Sequence, residues 1–353
     1  MKTNILYPIS YILFPISFIL SILMFNACNQ PSPSKPGTPE PGTVSSQQSA
    51  VSSPETATTE IPVFNADSAL AFVKAQCDFG PRVPGTPSHD KCAAYLIGSL
   101  KKHADTVIVQ EFRGRVYDAT IYNGRNIIAS FQPEKKARIM LAAHWDSRPI
   151  ADHDPDPAKR KLPVMGANDG ASGVGVLLEV ARLLSQSSPN VGVDIIFFDL
   201  EDYGPGEDKQ NQATEHWGLG SQYWSKNPHV YNYRARFVIL LDMVGAPDAV
   251  FRQEGFSMYY APDKVKKVWD IARRLGYGEY FPDEKGGYIN DDHYFINEII
   301  KIPAIDIIHL DPNSSNGSFF DYWHTTGDTF DKIDKKMLGI VGKVVVETVF
   351  AEK

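Results

Sequence analysis

Apolar strands that end in acids are the feature that most constrains how this chain can fold. The segment "IIFFDLEDYG", residues 195–204, begins as a strand buried on both faces and ends in two adjacent acids, Glu201 and Asp202. Neighbouring side chains of a strand point to opposite faces of the sheet. Packing alone therefore does not explain two carboxylates at one strand tip, and we ask whether other strands end in the same way.

Helical and extended patterns alternate from about residue 62 to the end of the chain. Helical spacing predicts helices at 66–77, 88–103, 171–184, 262–276 and 335–350, with Ser88 as an N-cap and Gly276 as a helix end. Apolar runs predict strands at 106–112, 126–130, 138–143, 191–199, 236–242 and 302–310. This alternation predicts an α/β fold, a three-layer α/β/α sandwich with a mostly parallel (mixed) central sheet.

The first 61 residues differ in composition from the rest of the chain. Residues 1–27 combine Lys2 with a long apolar stretch and predict an export signal peptide. Cys28 follows Ala27 as in a bacterial lipoprotein, which predicts a lipid on Cys28; an uncleaved membrane anchor is the alternative. Residues 28–61 are rich in Pro, Ser and Thr and predict a disordered linker. Both alternatives predict an exported, periplasmic catalytic domain at 62–353, held to a membrane.

Charge and cysteine content limit the possible partners. The net charge of −7 argues against nucleic acid and anionic membrane surfaces as major partners. We expect a monomer, since the sequence shows no large exposed apolar motif. Cys77 and Cys92 are left as either a disulfide or two free buried thiols.

Ligand-type side chains follow one predicted strand after another. In chain order they are His144 and Asp146, Asp169, Glu201 and Asp202, Asp242, Asp291 with Asp292 and His293, and His324 after Trp323. The carboxyl ends of parallel strands meet at one edge of the sheet, where ligands collect. So much negative charge is costly unless a cation or shared protons neutralise it. Carboxylates and imidazoles without thiolates suit a catalytic zinc site, with one or two ions.

Six motifs together carry a family resemblance. In order they are "HWDSR", "GANDGASG", "FFDLED", "LLDMVGAP", "DDHYF" and "WHTTGDT". They resemble the zinc-dependent aminopeptidase-like family, and within it the glutaminyl cyclases (glutaminyl-peptide cyclotransferases) of the animal and bacterial type, over about residues 62–353. The resemblance implies a zinc-dependent acyltransferase that converts the N-terminal glutamine of peptides and proteins to pyroglutamate with release of ammonia.

The resemblance also implies roles for individual residues. In a cyclase, one zinc is held by Asp169, Asp202 and His324. The catalytic residues are Glu201, Asp242 and Asp291, and the substrate-binding residues are Trp323, Trp217 and Asn290. Two departures from the animal enzymes are Asp202 in place of Glu and Asn290 in place of Gln.

An alternative member of the same family is a di-zinc aminopeptidase that removes N-terminal residues. It uses the same ligands with a second metal on His144 and Asp242, and Glu201 then activates a water molecule. The extra acid Asp291 and the tryptophan Trp323 favour the cyclase. A third possibility is a non-catalytic binding lipoprotein, which has no need for Glu201.

The remaining histidines carry no assigned role. We expect five of them to be solvated: His89, His103, His153, His216 and His229. His309 follows the last predicted strand, so it is left as either a residue near the site or a hydrogen-bonded core residue.

Overall fold

The computed structural model describes residues 61–206 and 214–353. The predicted signal peptide, the lipid attachment at Cys28 and all but the last residue of the predicted linker lie outside the described residues. Within these two ranges no helix is both long and apolar enough to cross a membrane.

A six-stranded mixed sheet forms the centre of the fold. Its strands are β1 (Thr106–Arg115), β2 (Ile121–Phe131), β3 (Arg138–His144), β4 (Gly192–Phe198), β5 (Val238–Asp242) and β6 (Ala304–Ile308). Their order across the sheet is β1-β2-β4-β3-β5-β6. β3, β4, β5 and β6 run parallel, whereas β1 and β2 are antiparallel to their neighbours. The predicted mostly parallel sheet is confirmed.

Helices cover both faces of this sheet. They are α1 (Ala66–Cys77), α2 (Pro87–Leu100), α3 (Ala171–Leu184), α4 (Leu219–Lys226), α5 (Gly255–Tyr260), α6 (Pro262–Arg274), α7 (Asp292–Phe295) and α8 (Lys335–Phe350). A π-helical turn, Ile296–Ile300, continues α7, and 3₁₀ turns lie at Thr214–His216 and Phe330–Lys332. The bounds predicted for α1, α3 and α8 match the structure.

The N-cap prediction for α2 was wrong. Thr86 is the N-cap, and its Oγ1 accepts the His89 N–H at 3.3 Å. Pro87 then occupies the first helical position, where its missing N–H costs nothing. Ser88 lies inside the helix.

Alternate residues of the central strands pack into two separate cores. On β4, Ile195 and Phe197 belong to the larger core, with residues of α1, α3 and α8, whereas Ile196 and Phe198 belong to a second core with Trp224 of α4. The period of two puts successive side chains on opposite faces. The sheet is therefore buried on both sides, as the continuous apolar strands predicted.

The structure decides the state of the two cysteines and the surroundings of His89. Cys77 and Cys92 are free and buried, and burial raises their thiol pKa values to about 11 and about 12. The prediction that His89 is solvated was wrong: its ring is buried, stacks on Trp145 at 4.2 Å and lies 2.9 Å from Asp199 through Nε2. His89 therefore helps to hold the residue that directly follows β4, Asp199.

Candidate active site

A cavity of about 330 Å³ opens at the carboxyl ends of β4, β5 and β6. Nine residues singled out from the sequence line it: Asp169, Glu201, Asp202, Trp217, Asp242, Asn290, Asp291, Trp323 and His324. His144, at the end of β3, is buried behind Asp169 and Asp242 and does not line it. This volume is at the lower end of the usual range for small-molecule sites.

Three of these side chains converge as metal ligands do. His324 Nε2 lies 3.2 Å from Asp202 Oδ1 and 3.6 Å from Asp169 Oδ2, and all three residues are buried. We call them the His324 group. A tetrahedral zinc with bonds of ~2.0–2.2 Å brings its ligand atoms to roughly 3.3 Å from one another. The second carboxylate oxygen of Asp202 is buried and has no hydrogen-bond partner among the described residues.

The electrostatics of the His324 group also fit a cation. Burial, and next the Asp169 carboxylate, raise the pKa of Asp202 well above its usual value, because both favour its uncharged form. Burial and the Arg148 guanidinium hold the pKa of His324 well below its usual value. A neutral imidazole and a crowded carboxylate pair are the donor set that zinc requires.

A second set of metal-type side chains shares Asp169. His144 Nε2 lies 3.0 Å from Asp169 Oδ1 and 3.2 Å from Asp242 Oδ1. We call these three residues the His144 group. Burial opposes protonation of His144, but hydrogen bonds to Asp146, Asp169 and Asp242 outweigh it and raise the pKa of His144 well above its usual value. In this group the His144 imidazole lies close to both carboxylates, those of Asp169 and Asp242.

Two buried carboxylates fix the backbone that carries the ligands. Asp146 accepts the N–H groups of Glu201 and Asp202 at 3.2 and 3.3 Å. Asp328 accepts the N–H of Asp169 at 3.1 Å. The residue before the acid pair, Leu200, has a φ of +56°, a conformation that costs free energy outside glycine and recurs at functional sites. Asp328 was missed by the sequence analysis, although "WHTTGDT" contains it.

The other acids that line the cavity have raised pKa values. Burial raises the pKa of Glu201 well above its usual value; the carboxylates of Asp291 and Asp202 reinforce the shift, and His144 opposes it. Burial likewise raises the pKa of Asp242 to about 7. We call Glu201, Asp242 and Asp291 the proton group.

A buried cluster lies behind the proton group. Asp306, in the middle of β6, has a pKa raised by burial and by neighbouring carboxylates, and one of its oxygens lies within 4.8 Å of an oxygen of Asp291. His293 Nε2 lies 2.8 Å from Glu254 Oε2, and its Nδ1 lies 3.6 Å from Asp306 Oδ2. We call Glu254, His293 and Asp306 the rear cluster. Asp306 was missed, although an acid inside the apolar run "AIDII" was a visible signal.

Arg148 is a third residue that the sequence pattern did not mark. Its guanidinium makes two hydrogen bonds to Asp152, at 2.7 and 2.8 Å, and a third to Asp202 Oδ1 at 3.2 Å. The Cζ atom also lies 4.8 Å from the centroid of the Trp217 ring. This buried cation compensates part of the charge of the His324 group and holds one wall of the cavity. The signal was the arginine in "HWDSR".

Aromatic rings flank His324 on both sides. The Trp323 ring lies 3.8 Å from the His324 ring and packs on Phe319 at 4.6 Å. The Trp217 ring lies nearly parallel to the His324 ring at 6.2 Å, and it packs so closely on Gly204 that any side chain there would collide with it. His153, expected to be solvated, packs on Trp323 at 4.4 Å. Each of these rings thus packs against other residues of the cavity and its surroundings.

His309 does not reach this cavity. It is buried, lines a separate cavity, and burial lowers its pKa to about 4. Its Nδ1 has no hydrogen-bond partner in the described part of the chain. The structure therefore supports neither of the two alternatives for His309, a residue near the site or a hydrogen-bonded core residue.

Comparison with known proteins identifies the family. Residues 126–349 match peptidase family M28. The chain is 52% identical to a glutaminyl cyclase from Bacteroides thetaiotaomicron, whose structure covers 83% of this chain and 100% of its own at a TM-score of 0.81. It is 49% identical, with the same coverage and TM-score, to a Zn-dependent exopeptidase from Parabacteroides distasonis. A glutaminyl-peptide cyclotransferase from Drosophila melanogaster is 25% identical over 283 residues, 72% of each chain.

The resemblance expected from the six motifs is thereby confirmed, together with the zinc-dependent, aminopeptidase-like fold. The chain belongs to peptidase family M28.

Proposed function

We propose that this protein is a glutaminyl-peptide cyclotransferase that uses one zinc ion held by Asp169, Asp202 and His324. The observation that carries the proposal is that the His324 group, the proton group and two tryptophans stacked with His324 line one cavity. The high identity to a bacterial glutaminyl cyclase over its whole length supports it.

The cavity residues account for each requirement of ring closure. The His324 group would hold the zinc ion, which would supply Lewis-acid polarisation of the glutamine side-chain carbonyl. Trp217 and Trp323 hold the side chain folded back, so that the α-amine nitrogen lies against the side-chain amide carbon. Because both reacting atoms belong to one residue, positioning contributes a large part of the rate enhancement. Asn290 lines the same wall and contacts the substrate amide.

Glu201 moves the proton. The α-amine nitrogen forms a bond to the amide carbon and loses a proton to the Glu201 carboxylate. Glu201 then donates that proton to the amide nitrogen, the carbon–nitrogen bond of the amide breaks, and ammonia leaves. Asp242 and Asp291 keep the proton near Glu201 through their raised pKa values. No water is consumed in this reaction.

A second candidate function is supported by the His144 group. Its three side chains also fit a metal, and a relative of similar identity is described as a Zn-dependent exopeptidase. A two-metal site and a water molecule activated by Glu201 would make the chain an aminopeptidase.

One experiment separates the two functions. Purified residues 62–353 with zinc are incubated with two peptides that differ only in their first residue, glutamine or leucine. The masses of the products are then measured by mass spectrometry. The cyclase converts the glutamine peptide with loss of one ammonia and leaves the leucine peptide intact. Release of free leucine without loss of ammonia overturns the proposal in favour of the aminopeptidase.

We also propose that the catalytic domain is an exported monomer, tethered in the periplasm by the linker and a lipid on Cys28. The sequence of residues 1–61 supports export and anchoring. The test is expression of the full chain and of Cys28→Ser. The full chain partitions with membranes, and Cys28→Ser moves to the soluble fraction; equal partitioning of both contradicts the lipid anchor.

A further inference from the structure

A run of aromatic rings begins at the mouth of the cavity and continues over the surface. Tyr288 lines the cavity, although 67% of its area is exposed. Its ring packs edge-to-face on Phe256 at 5.0 Å, and Phe256 contacts Tyr294 at 4.5 Å and Tyr260 at 6.4 Å. Tyr260 in turn contacts Tyr259 at 4.7 Å. We call these five rings the aromatic strip.

The backbone holds the cavity end of the strip in place. A Cβ on Gly255 would lie 2.6 Å from the Tyr288 ring, so this ring rests directly on the start of α5. Glu254 accepts the N–H of Phe256 at 2.8 Å and the N–H of Ile289 at 2.9 Å. The carboxylate that anchors the rear cluster thus also joins α5 to the segment that carries Tyr288.

Core packing does not explain the exposed members of the strip. Tyr259 is 71% exposed and Tyr288 is 67% exposed, so each ring keeps most of its area in water. Scattered exposed aromatics are ordinary, but a contiguous series that runs into a binding cavity is typical of an interaction surface. Aromatic faces bind apolar and aromatic side chains with little loss of conformational entropy.

We propose that the aromatic strip binds the residues that follow the N-terminal glutamine of the substrate and selects peptides with aromatic or apolar side chains there. This inference rests on the proposed cyclase function. A peptide whose first residue lies in the cavity leaves through its mouth, where Tyr288 lies. The centroids of the Tyr288 and Phe256 rings lie 5.0 Å apart, so one aromatic side chain of the peptide can contact both rings there.

The test compares two tetrapeptide amides, Gln-Phe-Phe-Gly and Gln-Ser-Ser-Gly, by the rate of ammonia release. We expect kcat/KM to be roughly three- to tenfold higher for the phenylalanine peptide, mainly through a lower KM, since one ring contact contributes about 0.5–1.5 kcal/mol. Tyr288→Ala brings this ratio towards one, and Tyr288→Phe keeps it. The matched control is Tyr231→Ala, a 90% exposed tyrosine outside the cavity lining, which changes neither rate.

Three outcomes overturn the inference in distinguishable ways. Equal kcat/KM for the two peptides in the wild-type enzyme shows that the strip does not select substrate, while the cyclase function stands. A preference that survives in Tyr288→Ala places the selecting surface elsewhere. Failure of the wild-type enzyme to release ammonia from either peptide refutes the proposed function, and this inference fails with it. Circular dichroism of each variant shows that a lost preference does not reflect unfolding.

Discussion

The two sides of the cavity use the same kinds of side chain under different surroundings. The His324 group lies beside the Arg148 guanidinium, and the pKa of Asp169 is lowered chiefly by hydrogen bonding to His144, against the effect of burial. In the proton group burial is the largest cause, and it raises the pKa of Glu201 and of Asp242. Burial also raises the pKa of Asp202 despite Arg148, so the comparison teaches that a hydrogen-bonded imidazole, as at Asp169, outweighs burial where a neighbouring guanidinium alone does not.

The largest expected effect is loss of the metal itself. His324→Ala removes one of the three zinc ligands, so we expect zinc affinity to fall more than about 100-fold and activity to fall to background. His144→Ala leaves all three ligands of the His324 group in place, so the zinc content stays at one ion per chain. The measurement is zinc per chain by elemental analysis after dialysis, with chelator competition for affinity. Two ions in the wild type, with one lost in each variant, would establish the two-metal site instead.

The next effect concerns the proton side alone. Glu201→Gln keeps the shape of the side chain but cannot accept the proton of the α-amine, so we expect kcat to fall about 10²–10⁴-fold. Zinc content stays unchanged, because Glu201 does not belong to the His324 group. Ammonia release and zinc content are measured on the same preparation. A variant that loses both zinc and activity would show that metal binding and proton transfer do not depend on separate residues.

The third effect is on stability and depends on pH. Burial opposes the ionisation of Glu254, but His293 outweighs it and lowers the pKa of Glu254 to about 2 from 4.5, while Glu254 raises the pKa of His293 above 6.5. The Glu254 contribution is present above about pH 4.5 and is lost as the pH falls towards 2. The His293 contribution is present below about pH 6.5 and is lost as the pH rises through its raised value. The pair therefore stabilises most between these two limits.

Replacement of Glu254 tests this window. Glu254→Gln leaves a buried imidazole without its charge partner, so we expect a loss of about 3–5 kcal/mol in the free energy of unfolding near pH 5.5. Urea unfolding of the wild type and the variant at several pH values measures the difference. The exposed acid Glu284 pairs with Arg252 on the surface, and Glu284→Gln is the matched control with a small effect. A difference between wild type and Glu254→Gln that is the same at pH 3 and pH 5.5 would contradict the assignment.

The sequence predicted the side chains of the cavity better than their supports. Ligands and walls follow strand ends or lie in motifs, so Asp202, Asp242 and His324 were visible without a structure. Arg148 and Asp306 act through residues distant in sequence, and only the fold brings Asp306 of β6 against Asp291. His89 was wrongly expected to be solvated, because its partners Asp199 and Trp145 come from other elements. Residues whose role depends on tertiary contacts are those that sequence patterns do not mark.

The smallest expected effect tests the support behind the proton group. One carboxylate oxygen of Asp306 lies within 4.8 Å of one of Asp291, so Asp306→Leu removes a polar neighbour of Asp291 and we expect kcat to fall about 10- to 100-fold. Asp306→Asn keeps a polar group there and restores most of this loss, whereas a purely packing role would favour leucine. Burial raises the pKa of Asp291 and Asp306 lowers it, so loss of Asp306 raises it further and the acid limb of the pH–rate profile moves to higher pH in Asp306→Leu. If both variants keep the wild-type kcat and pH–rate profile, the proton group does not depend on the rear cluster. The difference between the two sides of the cavity is then due only to residues that line it.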